Sequence, residues 1–298
     1  MDFFSSDEIF VLHRGYMKGL YMFHEIDPQK FTYDPDRKSP EAHDAVIFSK
    51  DRSILLGSGE GELAIPRYSD AQGLLQGKPG GFIYLFSLGE TAYFLSLEQV
   101  GETRSYQYRN VYSVRNAQPS QQAFVCATAF HLAHWYANNR YCGQCAGPFE
   151  HKENERALSC PRCGVVKYPR ISPVIIVGII DGENLLLTKY AGREYTNHAL
   201  VSGFVEPGEA LEGAIAREVM EEVGLEVTNV RYYKSQPWAF SQSILMGFFA
   251  DLSGGRNVTL DTKELSEAVW FPRPEIPVEE SRLSLTWDMI AAFRTGAV

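Results

Sequence analysis

The chain has 298 residues, a 45% apolar content and a formal net charge of -9. That length suits two domains or one large one with an added module, and the apolar share supports a sizeable core. The acidic balance argues against a general nucleic-acid binder, although a bound metal can supply positive charge locally for an anionic substrate.

The opening Met1-Asp2-Phe3-Phe4 has acids nearby and no basic start leading into an apolar run, so no signal peptide is expected. The longest apolar stretch, Val174 to Ile180, is too short to span a bilayer. A soluble cytoplasmic protein is the natural expectation. Residues 1–119 read as a β-rich domain. Ala45–Phe48, Ser53–Leu56 and Phe82–Leu88 are short apolar runs, and Gly89-Glu90-Thr91 turns the last of them into Ala92–Leu97 as a hairpin. No catalytic constellation lies here, so a scaffold or dimerisation role is expected.

Residues 120–168 read as a linking helix and a metal ribbon. Ser120 is a candidate N-cap for a helix running to Asn138, with Phe124, Thr128, His131 and Trp135 on one face. His131 and His134 are expected to be packing or surface residues, and Cys126 a small buried apolar one. The other cysteines form two Cys-x2-Cys pairs, Cys142/Cys145 and Cys160/Cys163, with Gly164 after the second. Such pairs wrap a metal from two tight turns and complete a closed tetrahedral thiolate shell, which makes the site structural and selects Zn²⁺. Paired spacing also fits a reducing compartment better than a disulfide framework. A zinc ribbon can bind nucleic acid, but Lys152, Arg156, Arg162 and Lys167 are offset by Glu150, Glu153 and Glu155, which favours structural duty.

Residues 169–298 alternate strands with helices, the pattern of an α/β sandwich. Val174–Ile180 and Leu185–Tyr190 flank Asp181-Gly182-Glu183-Asn184 as a second hairpin. Further strands are expected at 198–201, 227–233, 245–250 and 267–271, and helices at 211–223 and 283–293. On the first helix Glu218 and Glu222 share a face, with Glu221 beside them. Like charges at that spacing weaken a bare helix, and a cation between them reverses the penalty. Oxygen-only ligands select hard ions, Mg²⁺ or Mn²⁺. Arg217 lies four residues before Glu221 and can orient it. Gly208 opens the preceding loop and Gly224 stops the helix.

Two or three glutamates at helical spacing alone would describe a solvated face. The full array says more: Gly203, Glu209, Arg217-Glu218-Val219, Glu221-Glu222 and Gly224-Leu225 match the signature G-x5-E-x7-R-E-U-x-E-E-x-G-U, with U apolar. The chain thereby resembles the Nudix hydrolase family. Ser235-Gln236-Pro237-Trp238-Ala239-Phe240-Ser241-Gln242-Ser243 is similar to the SQPWPFPxS array of its NADH pyrophosphatase branch, which also acts on NAD-capped RNA. The four-cysteine ribbon, Tyr168-Pro169-Arg170, and Lys263-Glu264-Leu265 with Glu267 and Trp270 resemble that branch too. The likeness runs from about residue 120 to 290 and is weak before it. Ala239 and Ser241 stand where the branch has prolines, which should loosen that segment and bears on substrate preference. Ser284-Leu285-Thr286 replaces its usual Ser-Ile-Ala.

The resemblance implies a C-terminal Nudix α/β/α sandwich behind the ribbon. It implies divalent-metal ligation by Glu218, Glu221, Glu222 and Glu264 and by the Ser202 carbonyl, with Arg217 in the catalytic set. It places substrate contacts at Glu155, Tyr168, Phe204, Gln236, Pro237, Trp238, Ala239, Phe240, Ser241, Gln242, Ser243 and Thr286. The implied reaction is hydrolysis of the diphosphate bond of NADH or NAD to nicotinamide mononucleotide and AMP, with removal of NAD caps from RNA as a second activity. A homodimer is implied as well. Two alternatives stay open: a Nudix hydrolase for ADP-ribose or a dinucleoside polyphosphate, and a zinc-ribbon RNA-binding protein on an inactive Nudix fold.

Overall fold

The computed structural model describes residues 22–34, 39–57, 63–78, 81–115, 117, 119–153, 155–192, 196–277 and 284–298. The chain start read above for a leader lies outside these residues, as does Leu283. The backbone clusters into two compact units. One comprises Phe23–Val174 with Ser235–Met246, and the other Ile175–Lys234 and Gly247–Val298 with Met22.

In the first of these units, six strands make one sheet. They are β1 (Phe31–Thr32), β2 (Ala45–Lys50), β3 (Ser53–Gly57), β4 (Phe82–Leu88), β5 (Thr91–Ser96) and β6 (Tyr106–Asn110), in the order β1-β4-β5-β2-β3-β6. The expected hairpin is present: β4 and β5 pair antiparallel, and Gly89 takes the turn at φ 57°. β2 meets β5 in parallel, Ala45 opposite Tyr93 through Phe48 opposite Ser96. Helix α1 (Tyr68–Leu75), not anticipated in a region read as strands, buries Ala71 and Leu75 against Val46, Phe48 and Leu55.

Helix α2 (Ser120–Asn138) has the expected span, but Pro119 occupies the N-cap position and Ser120 is the first helical residue. The proline cannot donate an amide, and its extended backbone (ψ 153°) starts the helix without a side-chain cap. Nor is α2 buried on one face only. Ala123, Phe124, Val125, Cys126, Ala127, Ala129, Phe130, Leu132, Ala133, Trp135 and Tyr136 are all buried. A helix that is apolar on most sides belongs inside a core, and small alanines let neighbours approach it closely. His131 and His134 are packing residues: the His131 ring bonds the Arg170 carbonyl at 2.8 Å, and His134 bonds Asn138 at 2.8 Å. Burial pushes the Cys126 thiol up to about 12, which leaves it inert as a nucleophile. The ribbon follows as a small sheet of β7 (Glu150–His151), β8 (Leu158–Ser159) and β9 (Val166–Lys167).

The remaining elements are β10 (Ser172–Asp181), β11 (Asn184–Tyr190), β12 (Val201–Phe204), α3 (Leu211–Val223), β13 (Glu226–Trp238), β14 (Ser243–Ser253), β15 (Leu265–Pro272) and α4 (Leu285–Arg294). Their sheet runs β13-β14-β10-β11-β15, with β12 on β10. The β10/β11 hairpin turns at Gly182, φ 57°, as read from its sequence. The strand expected at 198–201 begins instead at Val201. Ala199 makes only an isolated bridge, trading amide and carbonyl with Thr188 at 2.9 and 2.8 Å. α3 buries Ala214, Ile215, Val219 and Val223 on its apolar face. α4 approaches β14 at Gly247, where an added methyl would press on Met289 Sδ and Leu285. Among the described residues no helix is long and apolar enough to cross a membrane.

Candidate active site and metal centre

Helix α3 is delimited by two left-handed glycines, Gly208 at φ 92° before it and Gly224 at φ 65° after it. The Gly224 amide donates to the Met220 carbonyl, closing the last turn. Along the helix, Arg217 is the hub. Its Nε and one terminal nitrogen donate to the two oxygens of Glu209, each at 2.9 Å. The other terminal nitrogen donates to Glu218 at 2.7 Å and to Glu221 at 3.0 Å. A further bond, 3.1 Å, reaches the Phe204 carbonyl. One guanidinium therefore ties the loop before α3 to the acids on it, and the pairing with Glu221 is the one its spacing suggested. The Arg217 fork, helped by the Glu206 amide, pulls the Glu209 carboxyl down to about 2.

Glu218 has the opposite character. Its carboxyl lies so close to Gly203 in β12 that a methyl on Gly203 would overlap it. Burial there raises its pKa. Arg217 opposes the shift, and the charges of Glu221 and Glu264 add to it. Glu222 is buried, with 3% of its surface exposed. Its backbone carbonyl accepts from the Asp261 amide at 2.9 Å, and the Val223 carbonyl accepts from Thr259 at 2.9 Å. These bonds dock the 259–264 segment on the end of α3, which brings Glu264 into the electrostatic reach of Glu218. The Ser202 hydroxyl is held by Tyr190 at 3.2 Å. Several carboxylates around one guanidinium leave a net negative, all-oxygen environment. Oxygen donors are the chemistry a hard divalent cation takes, but among the described residues only the four ribbon cysteines, and not these carboxylates, bring their ligand atoms within 4.8 Å of one another.

The four ribbon cysteines bring their sulfurs within 4.8 Å of one another. Cys142 lies 3.5 Å from Cys163, and Cys145 lies 3.4 Å from Cys160. A tetrahedral shell with Zn–S near about 2.3 Å sets sulfurs roughly 3.8 Å apart, so the four fit one zinc ion. Each pair sits on a knuckle. Gly164 donates to the Cys160 carbonyl at 2.9 Å, and Ala146 donates to that of Cys142 at 2.8 Å. Both are left-handed, at φ 77° and 55°. The Gln144 amide, 3.4 Å from Cys142 Sγ, lowers that thiol's pKa and favours the thiolate.

In the ribbon, Tyr168 donates to Glu155 at 3.1 Å, and Lys152, read from the sequence only as a charge offset by the ribbon's acids, binds the other Glu155 oxygen at 2.6 Å. Tyr168 and Phe204 are 58% and 52% exposed, so neither ring serves core packing. Within residues 235–243, Gln236, Ala239, Phe240 and Ser243 are buried while Pro237 and Ser241 are exposed. Thr286 is the second residue of α4 and half-buried. Lys189 pairs with Glu267 at 3.1 Å, and the Trp270 indole donates to the Arg256 carbonyl at 3.3 Å. Asp288 accepts from the Tyr233 hydroxyl and Lys234 at 2.8 and 3.0 Å; a lone aspartate inside an apolar helix carries no motif that announces such contacts.

Residues 169–293 match the model of the NUDIX domain. The chain carries a Nudix domain. Immediately before it, residues 137–168 match the NADH pyrophosphatase zinc ribbon domain. Among curated relatives, the NAD-capped RNA hydrolase NudC of Vibrio atlanticus is 38% identical over 159 residues, 53% of this chain and 59% of that protein. The protein of that name from Salmonella heidelberg is 42% identical over 147 residues, 49% of this chain and 57% of that protein. The matches thus span less than two thirds of those relatives. A Nudix hydrolase structure from Nitrosomonas europaea aligns at a TM-score of 0.43 and 22% identity, covering 52% of this chain and 90% of that one.

Proposed function

We propose that the protein hydrolyses the diphosphate bond of NADH and NAD to nicotinamide mononucleotide and AMP, and removes NAD caps from RNA as a second activity. The observation that carries this reading is the pairing of a ribbon of the NADH pyrophosphatase type with a Nudix domain that retains the whole acidic set. In this reading residues 169–298 hold the chemistry, 120–168 supply the ribbon and part of the substrate contacts, and 1–119 form the β-rich domain.

Glu218, Glu221, Glu222 and Glu264, with the Ser202 carbonyl, would hold Mg²⁺ or Mn²⁺, which would supply charge neutralisation for the diphosphate and acidification of the attacking water. Arg217 orients Glu218 and Glu221 and fixes the loop at Glu209. A carboxylate of this set accepts the proton from water. Tyr168 and Phe204 offer flat exposed rings to the nicotinamide, Glu155 is oriented by Tyr168 and Lys152, and the accessible members of 236–243, Pro237, Trp238, Ser241 and Gln242, with Thr286 contact the nucleotide, while buried Gln236, Ala239, Phe240 and Ser243 shape the segment. The zinc shell is structural, since four thiolates leave no open position. The thiolates also suit a reducing, cytoplasmic setting. The working form is a homodimer, and light scattering at twice the chain mass tests that.

The deciding experiment is a side-by-side panel of NADH, NAD⁺, ADP-ribose, diadenosine polyphosphates and NAD-capped RNA, with Mg²⁺ or Mn²⁺. The highest kcat/KM on NADH, NAD⁺ or the NAD cap is expected. A clear preference for ADP-ribose or a dinucleoside polyphosphate would replace this substrate assignment.

A further inference from the structure

The segment between β13 and β14 is a single tight turn. Ala239–Ser241 form a 3-10 turn, and Gln242 closes it at φ 56°, a left-handed conformation that a non-glycine residue adopts at a cost. Its internal bonds are the Gln242 amide to the Ala239 carbonyl at 3.3 Å, a Ser241–Ser243 hydroxyl contact at 3.0 Å and the Ser243 hydroxyl to the Ser241 carbonyl at 3.2 Å. The prolines that stiffen this array in the resembling branch are absent at positions 239 and 241. Rigidity must therefore come from outside the turn.

Two groups outside it brace the turn: the Ser172 amide donates to the Gln242 carbonyl at 2.8 Å, and Tyr112 holds Phe240. Tyr112 lies in a 3-10 turn, Val111–Val114, that follows β6 and is anchored by buried Val111 and Val114. Its own amide is fixed by the Asn110 side chain at 2.9 Å. From there the Tyr112 hydroxyl donates to the Phe240 carbonyl at 3.2 Å, between the two positions that lack proline. Its ring also lies on the Phe240 ring, centroids 5.5 Å apart and tilted by 30°. The Arg52 guanidinium covers the Tyr112 ring at 4.9 Å. Phe240 is in turn packed by Phe23 and Trp238 at 5.8 and 5.1 Å. Tyr112 keeps 37% of its surface exposed, so its hydroxyl is not needed to fill a core.

We propose that Tyr112 is a positioning residue for the 235–243 segment, through which the N-terminal β-rich region sets the affinity for substrate. The proposal rests on the dinucleotide pyrophosphatase reading above. Tyr112→Phe keeps the stacked ring and removes the hydroxyl. It is expected to raise KM for NADH by about three- to tenfold, as loss of one hydrogen bond to a binding segment would, with kcat within about twofold. Tyr112→Ala, if it folds, raises KM further. Tyr106→Phe is the control: it removes a hydroxyl of the same region that bonds Asp70 instead, and KM should not move. Hydrogen exchange of the purified protein reads the same effect without substrate, as faster exchange over residues 238–243 in Tyr112→Phe. A wild-type KM in Tyr112→Phe overturns the proposal. If the wild-type protein hydrolyses no NADH, the pyrophosphatase reading fails by itself. Exchange then decides: faster exchange over 238–243 supports positioning by Tyr112, and unchanged exchange overturns it.

Discussion

Arg217 grips both carboxylate oxygens of Glu209 from a position eight residues further along, each at 2.9 Å. The two residues stand on either side of the first turns of α3, so the fork fixes how the chain enters the helix. A lysine can match neither the planar geometry nor the simultaneous reach to Glu218 and Glu221. Arg217→Lys should therefore lower NADH turnover by about tenfold or more while leaving the fold intact, as for other losses of groups that orient ligands. Turnover within twofold of wild type would show that the hub is dispensable.

The same fork predicts a pH dependence of stability. The Glu209 carboxyl is held at about 2 in the folded protein, below its ordinary value of 4.5. A depressed carboxylate stabilises the fold above its unfolded pKa, and the contribution is lost as pH falls through the folded one. Glu209→Gln should thus be less stable than wild type at neutral pH. The difference between their denaturation midpoints should shrink between about pH 4.5 and about pH 2. A difference that stays constant across that window would show that the fork does not act through charge.

Gly203 offers a second test of the site. A methyl added there would overlap the Glu218 carboxyl, so Gly203→Ala must displace that side chain. Metal affinity and turnover should each fall by roughly 10–100-fold, the usual effect of misplacing a ligand's support. Titration with Mn²⁺ followed by electron paramagnetic resonance measures the first directly. Unaltered Mn²⁺ affinity would place the cation away from Glu218.

The zinc shell should be separable from catalysis. Purified protein should carry one zinc per chain by elemental analysis. Cys142→Ser should lower Tm by roughly 5 °C or more, because a buried structural ligand is lost. The Mg²⁺ or Mn²⁺ concentration for half-maximal activity should not change. Absence of zinc from freshly purified, unchelated protein would remove the basis for the ribbon's role.

What the sequence made legible was local and periodic. The bounds of α3 follow from Gly208, Gly224 and the glutamate spacing, the β10/β11 turn from Asp181-Gly182, and the thiolate shell from two Cys-x2-Cys pairs. What it concealed depends on distant parts of the chain meeting. Nothing in the residues around Gly203 announces that Glu218 will rest on it. Asp261 reaches the Glu222 carbonyl through its backbone amide, which any residue but proline possesses. Taking Phe124, Thr128, His131 and Trp135 as the one packed face of α2 misses its burial on most sides, because nothing in Val125, Leu132 or the alanines says which neighbours will cover them. His131 and His134 each bond through Nε2, to the Arg170 carbonyl and to Asn138, while the helix stays enclosed.

The most direct test lies in Glu222. It is buried at one end of α3, on the face it shares with Glu218, and its carbonyl anchors the segment that carries Glu264. Glu222→Gln preserves shape and backbone bonds and removes only charge. If the side chain holds the cation or accepts the proton, NADH turnover should fall by about 10²–10⁴-fold. The thermal midpoint should hardly change, because a neutral amide is easier to bury than a carboxylate. Glu226→Gln removes the same charge from an exposed position that opens β13 beyond Gly224, and activity there should remain near that of wild type. Near-normal NADH hydrolysis by Glu222→Gln, with Mg²⁺ or Mn²⁺ supplied, would show that the chemistry is carried elsewhere than on α3.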